Sequence, residues 1–81
     1  MHDNSVFARK TSEFALTGKR MGNNLKVGDT VEFRHGDYSP ANYTGKIASI
    51  KLIDKKNNIW ETTFENPLPE VKDDGFVLFN H

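Results

Sequence analysis

Few residues in this chain have the side-chain types that do chemistry, and their spacing is poor. His35, Asp37 and Ser39 lie in one short stretch and offer an imidazole, a carboxylate and a hydroxyl. These are the groups of a nucleophilic set, but triad geometry needs three rigid supports and one loop supplies none of them. The stretch therefore reads as a polar loop, and the sequence predicts no catalytic residue and no enzyme. His2, Asp3 and His81 are metal-ligating types at the two ends of the chain, a poor basis for a preorganised site. Thr17-Gly18-Lys19 lacks the upstream glycine of a phosphate-binding loop. Asp73-Asp74-Gly75 is a turn, without the spaced oxygen ligands and closing glutamate of a calcium loop. With no cysteine, neither a disulfide framework nor a thiolate metal site is available. No metal and no cofactor are expected.

Aromatic and charged residues carry more information. Tyr38 and Tyr43 sit in a polar stretch with no obvious core to enter, and loop tyrosines supply contact area at low entropy cost. Trp60 is either a core keystone or a surface anchor; Thr62 and Phe64 share its face, which favours the core. Asn66-Pro67-Leu68-Pro69-Glu70-Val71 is held extended by its prolines. Leu68 either folds under this loop or forms an apolar knob beside acids such as Glu70, a form suited to a basic partner. With Arg34, which points outward at the end of the preceding strand, the candidate partner-binding set is Arg34, Tyr38, Tyr43, Trp60, Leu68 and Glu70.

These residues need a scaffold, and 81 residues make one small domain. Apolar residues are 36% of the chain, so the core is thin, and a barrel or a partner would help to stabilise it. Thr30 to Arg34 alternates, with Val31 and Phe33 inward. His35 to Thr44 reads as a loop, and Gly45 opens a second strand, Lys46 to Ile53. Ile47, Ile50 and Leu52 cannot all face inward at a strict period of two, so a β-bulge near Ala48-Ser49 is expected. Asp54 to Asn58 is a hairpin turn. Ile59 to Phe64 is a strand, Glu65 to Gly75 an acidic, proline-containing loop, and Phe76 to Phe79 a last strand. Leu25 to Asp29 is a turn in which Gly28 supplies backbone freedom and Asp29 bonds neighbouring amides. Residues 1–24 show neither period clearly and read as a loose N-terminal arm with a short turn or helix, anchored by Phe14 and Leu16. Residues 25–81 form the barrel domain.

The stretch Gly28 to Gly36, followed by Gly45-Lys46-Ile47-Ala48-Ser49-Ile50, resembles SH3-like barrels. It is similar to the KOW motif of ribosomal and elongation proteins, and to the small stromal barrel protein of photosystem I. The resemblance covers about residues 25–80. It implies an all-β fold, a small SH3-like antiparallel barrel of about five short strands. It is specific for fold and not for function, because this barrel hosts unrelated roles. Asp37, Tyr38, Ser39 and Pro40 replace the basic loop residues of RNA-binding KOW domains.

Two functional expectations follow. The first is a non-catalytic protein–protein interaction module, an accessory subunit or small inhibitor acting on another protein through its loops. The alternative is a KOW-like RNA- or DNA-binding module using Arg9, Lys10, Lys19 and Arg20. Eleven Lys and Arg balance eleven Asp and Glu, which argues against a strongly basic nucleic-acid protein. The balance is uneven along the chain: residues 1–26 carry +3, 27–53 carry 0 and 54–81 carry −3. The longest apolar run, Phe76 to Phe79, is far too short to span a membrane. The first residues, Met1 to Ser5, show no secretory pattern, so a cytoplasmic protein without a membrane partner is expected.

Overall fold

The computed structural model describes residues 6–22, 25–35, 42–70 and 75–79, with Val6 and Phe79 described by backbone alone. Alternating side chains build six strands: β1 (Val6–Ser12), β2 (Ala15–Lys19), β3 (Thr30–His35), β4 (Asn42–Asp54), β5 (Ile59–Phe64) and β6 (Gly75–Phe79). They close into a barrel in the order β1-β2-β5-β4-β3-β6. Every neighbouring pair is antiparallel. Closure gives each of these strands two neighbours. The all-β antiparallel barrel expected from the sequence is therefore present, with six strands. No helix among the described residues is long and apolar enough to cross a membrane.

The first two strands correct the reading of residues 1–24. Residues 6–12 and 15–19 are barrel wall and not an arm, so a boundary at 24/25 cuts through the barrel. The reason is an inverted pattern in β1. Its large apolar residue, Phe7, faces outward and is 54% exposed, while the inward position is taken by small Ala8, 1% exposed. Of the two expected anchors, Leu16 is fully buried, but Phe14 is 37% exposed. Phe14 anchors through its backbone, whose carbonyl accepts a 2.8 Å hydrogen bond from the Phe64 N–H.

The expected bulge is present. Ile47 pairs with Phe64 and Ser49 with Thr63, so Ala48 is the extra residue. This insertion lets Ile47 and Ile50, three apart in sequence, both pack against the core. β4 begins earlier than the sequence indicates, at Asn42. Tyr43, Gly45 and Ile47 keep a period of two on the inner side, which the missing side chain at Gly45 conceals. Stretch 42–44, read as loop, is strand.

Two turns behave as their residues predict. Gly28 has a φ of 94°, and the Asp29 carboxylate accepts a 3.0 Å hydrogen bond from the Lys26 N–H. In the β4–β5 hairpin, the Asp54 carboxylate accepts from the Asn57 side-chain amide at 2.8 Å and from its backbone N–H at 3.2 Å. These bonds hold the Asp54 carboxyl below its ordinary value, the Asn57 side chain contributing most.

Phe33 centres the core. Its ring lies 5.6 Å from Phe64, 5.7 Å edge-on from Phe76 and 6.0 Å from Tyr43 in a stacked arrangement. Offset and edge-to-face geometries of this kind add to the burial term. Ala8, Leu16, Met21, Val31, Ile47, Leu68 and Leu78 complete the buried cluster. Trp60 is half-buried and packs against it, and its Nε1–H donates to Asn58 Oδ1 at 2.7 Å.

Candidate functional site

β4 is long and β5 is short, and this mismatch makes a cleft. The last β4–β5 pair toward this end is Ile47 with Phe64, so residues 42–46 pair with β3 alone. The chain leaving β5 then runs alongside. Its Glu65 N–H donates to the Lys46 carbonyl at 2.9 Å, and its Leu68 N–H donates to the Glu13 carbonyl at 2.8 Å. Between these segments opens a cleft of about 410 Å³.

Its floor is apolar: Phe33, Phe64 and Leu68. Its sides carry Tyr43, Pro67 and Pro69, with polar groups from Asn42, Thr44 and Asn66. Gly45 keeps the floor tightly packed, since a Cβ there would stand 2.7 Å from Phe64 Cδ1 and 3.2 Å from Phe33 Cε1. An apolar floor with a few amide and hydroxyl groups at its rim is the composition of a recognition site. Amides give direction to a bound backbone or polar head group, and the rings supply contact area.

No family model, curated protein or solved structure matches this chain.

The structure places the sequence-nominated residues in different parts of the barrel. Tyr43 lines the cleft. Leu68 does too, and at 5% exposed it is part of the core, folded under the loop, the first of the two alternatives its sequence allows, and not an apolar knob. The Glu13 carbonyl that binds its N–H draws it under the loop. Glu70 is exposed just beyond Pro69. Trp60 is a core-packing residue, as its face suggests. Arg34 is half-buried on the outer wall, at the register of Val77. Tyr38, Asp37, Ser39, Val71, His2, Asp3 and His81 lie outside the described residues, as does the Asp73-Asp74 pair. His35 is half-buried with its ring 6.0 Å from Phe76, and its Nε2 has no hydrogen-bond partner among the described residues. Among the described residues, no group of three or more His, Asp or Glu gathers to hold a metal ion.

The four basic residues separate. Arg9, Lys19 and Arg20 are exposed. Lys10 is half-buried and turns the other way, its Nζ donating to the Pro69 carbonyl at 3.5 Å. Asn42, Gly45 and Asn66 are cleft residues that sequence reasoning passed over. The usable signal was Gly45 inside a strand, since an interior strand glycine often marks close approach.

Proposed function

We propose that this chain is a non-catalytic protein-interaction module, an SH3-like barrel acting in the cytoplasm as an accessory subunit or small inhibitor. Its cleft takes an apolar side chain of a protein partner. The observation that carries this reading is the cleft itself, an apolar floor of Phe33, Phe64 and Leu68 flanked by Tyr43 and two prolines. A volume of about 410 Å³ is at the small end of ligand sites, a size suited to one large side chain with its adjoining backbone. The amides of Asn42 and Asn66 would orient that backbone, and Tyr43 would act as the aromatic anchor that interfaces favour. Charge supports a basic flank on the partner. The segment 65–74 holds Glu65, Glu70, Asp73 and Asp74 against Lys72, a net −3. Such charge sets approach and orientation more than affinity.

Affinity capture with mass spectrometry tests this, run in parallel with wild type, Tyr43→Ala and, as a control on the distant β4–β5 hairpin, Lys55→Ala. The expected result is one protein retained by wild type and Lys55→Ala and lost from Tyr43→Ala, with nuclease making no difference. Capture that survives Tyr43→Ala unchanged, or no retained protein at all, refutes the cleft as the partner site.

A further inference from the structure

The outer wall opposite in character to the acidic segment is built on Phe7. A phenylalanine on the outside of a small barrel has no core reason to be there, and this one is 54% exposed. The Arg9 guanidinium lies over its ring, 5.5 Å from the centroid, a cation–π geometry. On one side, the pairing of Ala8 with Gly18 sets Lys19 of β2 alongside Phe7, and Lys19 is exposed. Arg20 follows at once, also exposed. Its left-handed φ of 64° and the 2.7 Å hydrogen bond from its N–H to the Asn58 carbonyl hold its backbone in place. On the other side, Phe7 pairs with Val77 and Val77 with Arg34. Val77 is 7% exposed and Arg34 half-buried, so the exposed part of this wall is Phe7 with Arg9, Lys19 and Arg20. The nearest acid on the β2–β5 side, Glu61, lies opposite Thr17 and accepts a 3.4 Å hydrogen bond from the Thr11 hydroxyl.

We propose that this wall binds single-stranded nucleic acid. Cations flanking an exposed aromatic ring are the two parts of single-strand recognition: charge that follows phosphates and a flat apolar surface on which a base stacks. Arg9 serves both, because its charge meets a phosphate and a guanidinium is itself a flat cation on which a base stacks. The carboxylate side chains of an acidic peptide would meet the charges but are neither flat nor apolar and leave the ring uncovered, whereas a base covers it, which makes nucleic acid the better match. The site has no step in common with the cleft reading and stands or falls without it. It also differs from a basic tail: Lys10, adjacent in sequence to Arg9, is turned toward Pro69 and takes no part.

Fluorescence anisotropy with labelled single-stranded RNA and DNA oligonucleotides tests the proposal on the intact chain. Saturable binding is expected at low salt within the range of non-specific affinities, below about 100 µM. Three phosphate contacts give affinity that falls roughly 15-fold between about 50 and 200 mM salt. Phe7→Ala weakens binding about tenfold or more, the effect of losing one stacked base, and Phe7→Tyr restores it. Arg9→Gln and Lys19→Gln weaken it too, whereas Lys10→Gln and Lys55→Gln change it little. Unchanged Trp60 emission confirms that each variant is folded. The proposal is overturned by absence of saturable binding, by Phe7→Ala binding like wild type, or by equal competition from a duplex. Equal competition from a polyglutamate peptide overturns it in favour of an acidic protein partner.

Discussion

Thr62→Val should make this protein more stable, and the size of the gain can be worked from the barrel. Thr62 is 0% exposed, and its hydroxyl is buried with no hydrogen-bond partner among the described residues. On β5 it sits between Leu16 of β2 and Ile50 of β4, an apolar setting. A hydroxyl left unpaired in such a place costs about 1–3 kcal/mol. Valine has nearly the same shape, keeps the β-branched fit to a pleated strand, and leaves no cavity. The expected gain is therefore about 1–2 kcal/mol, which for a domain of this size raises Tm by roughly 4–8 °C per kcal/mol. Urea unfolding followed by the single tryptophan, Trp60, reads the effect, with circular dichroism as a second probe of two-state behaviour. The midpoint should rise while the slope stays constant. Thr62→Ser provides the contrast, because it keeps the hydroxyl and deletes the methyl, and it should lower stability by about 1 kcal/mol. If Thr62→Val leaves the midpoint unchanged or lowers it, the hydroxyl is satisfied in solution and the reasoning fails.

Gly22 lies beneath the Trp60 ring, and a Cβ there would overlap it. Gly22→Ala should displace the indole, shift its emission to the red and cost about 1–3 kcal/mol, as measured by fluorescence and urea unfolding together. Gly45→Ala forces apart Phe33 and Phe64, whose rings are 1% and 2% exposed as whole residues. It should destabilise by about 1–3 kcal/mol and weaken partner capture through the disturbed cleft floor. The depressed Asp54 carboxyl stabilises the hairpin when ionised. That contribution is present above the unfolded carboxylate value and is lost as pH falls through the lower folded one. NMR titration should place Asp54 below an ordinary aspartate, and Asn57→Ala should move it back up.

Much of the barrel was readable from local chemistry. The alternation of Val31 and Phe33, the odd spacing of Ile47 and Ile50, and the turn residues Gly28, Asp54 and Asn57 each specify geometry within a few residues of themselves. So β3, the bulge at Ala48, both turns and β5 were legible. β1 was not, because its inward residue is small Ala8 and its outward one is Phe7, so the hydrophobic period points the wrong way. The start of β4 was hidden similarly by Gly45, which has no side chain to mark its inward face. Tyr43 stood out by its residue type alone, but its place on the cleft wall, stacked on Phe33, was not legible.

By itself, the sequence determined an all-β chain of short strands, the places of its turns, and a basic first third set against an acidic last third. Those properties depend on neighbours in sequence. Barrel closure, the burial of Leu68, the divergence of Lys10 from Arg9, and the exposed ring at Phe7 were decided only by tertiary structure. Each depends on a strand pairing or a hydrogen bond between residues far apart in the chain, such as Leu68 to Glu13 or Phe7 to Val77. No local pattern encodes such a contact until the barrel closes.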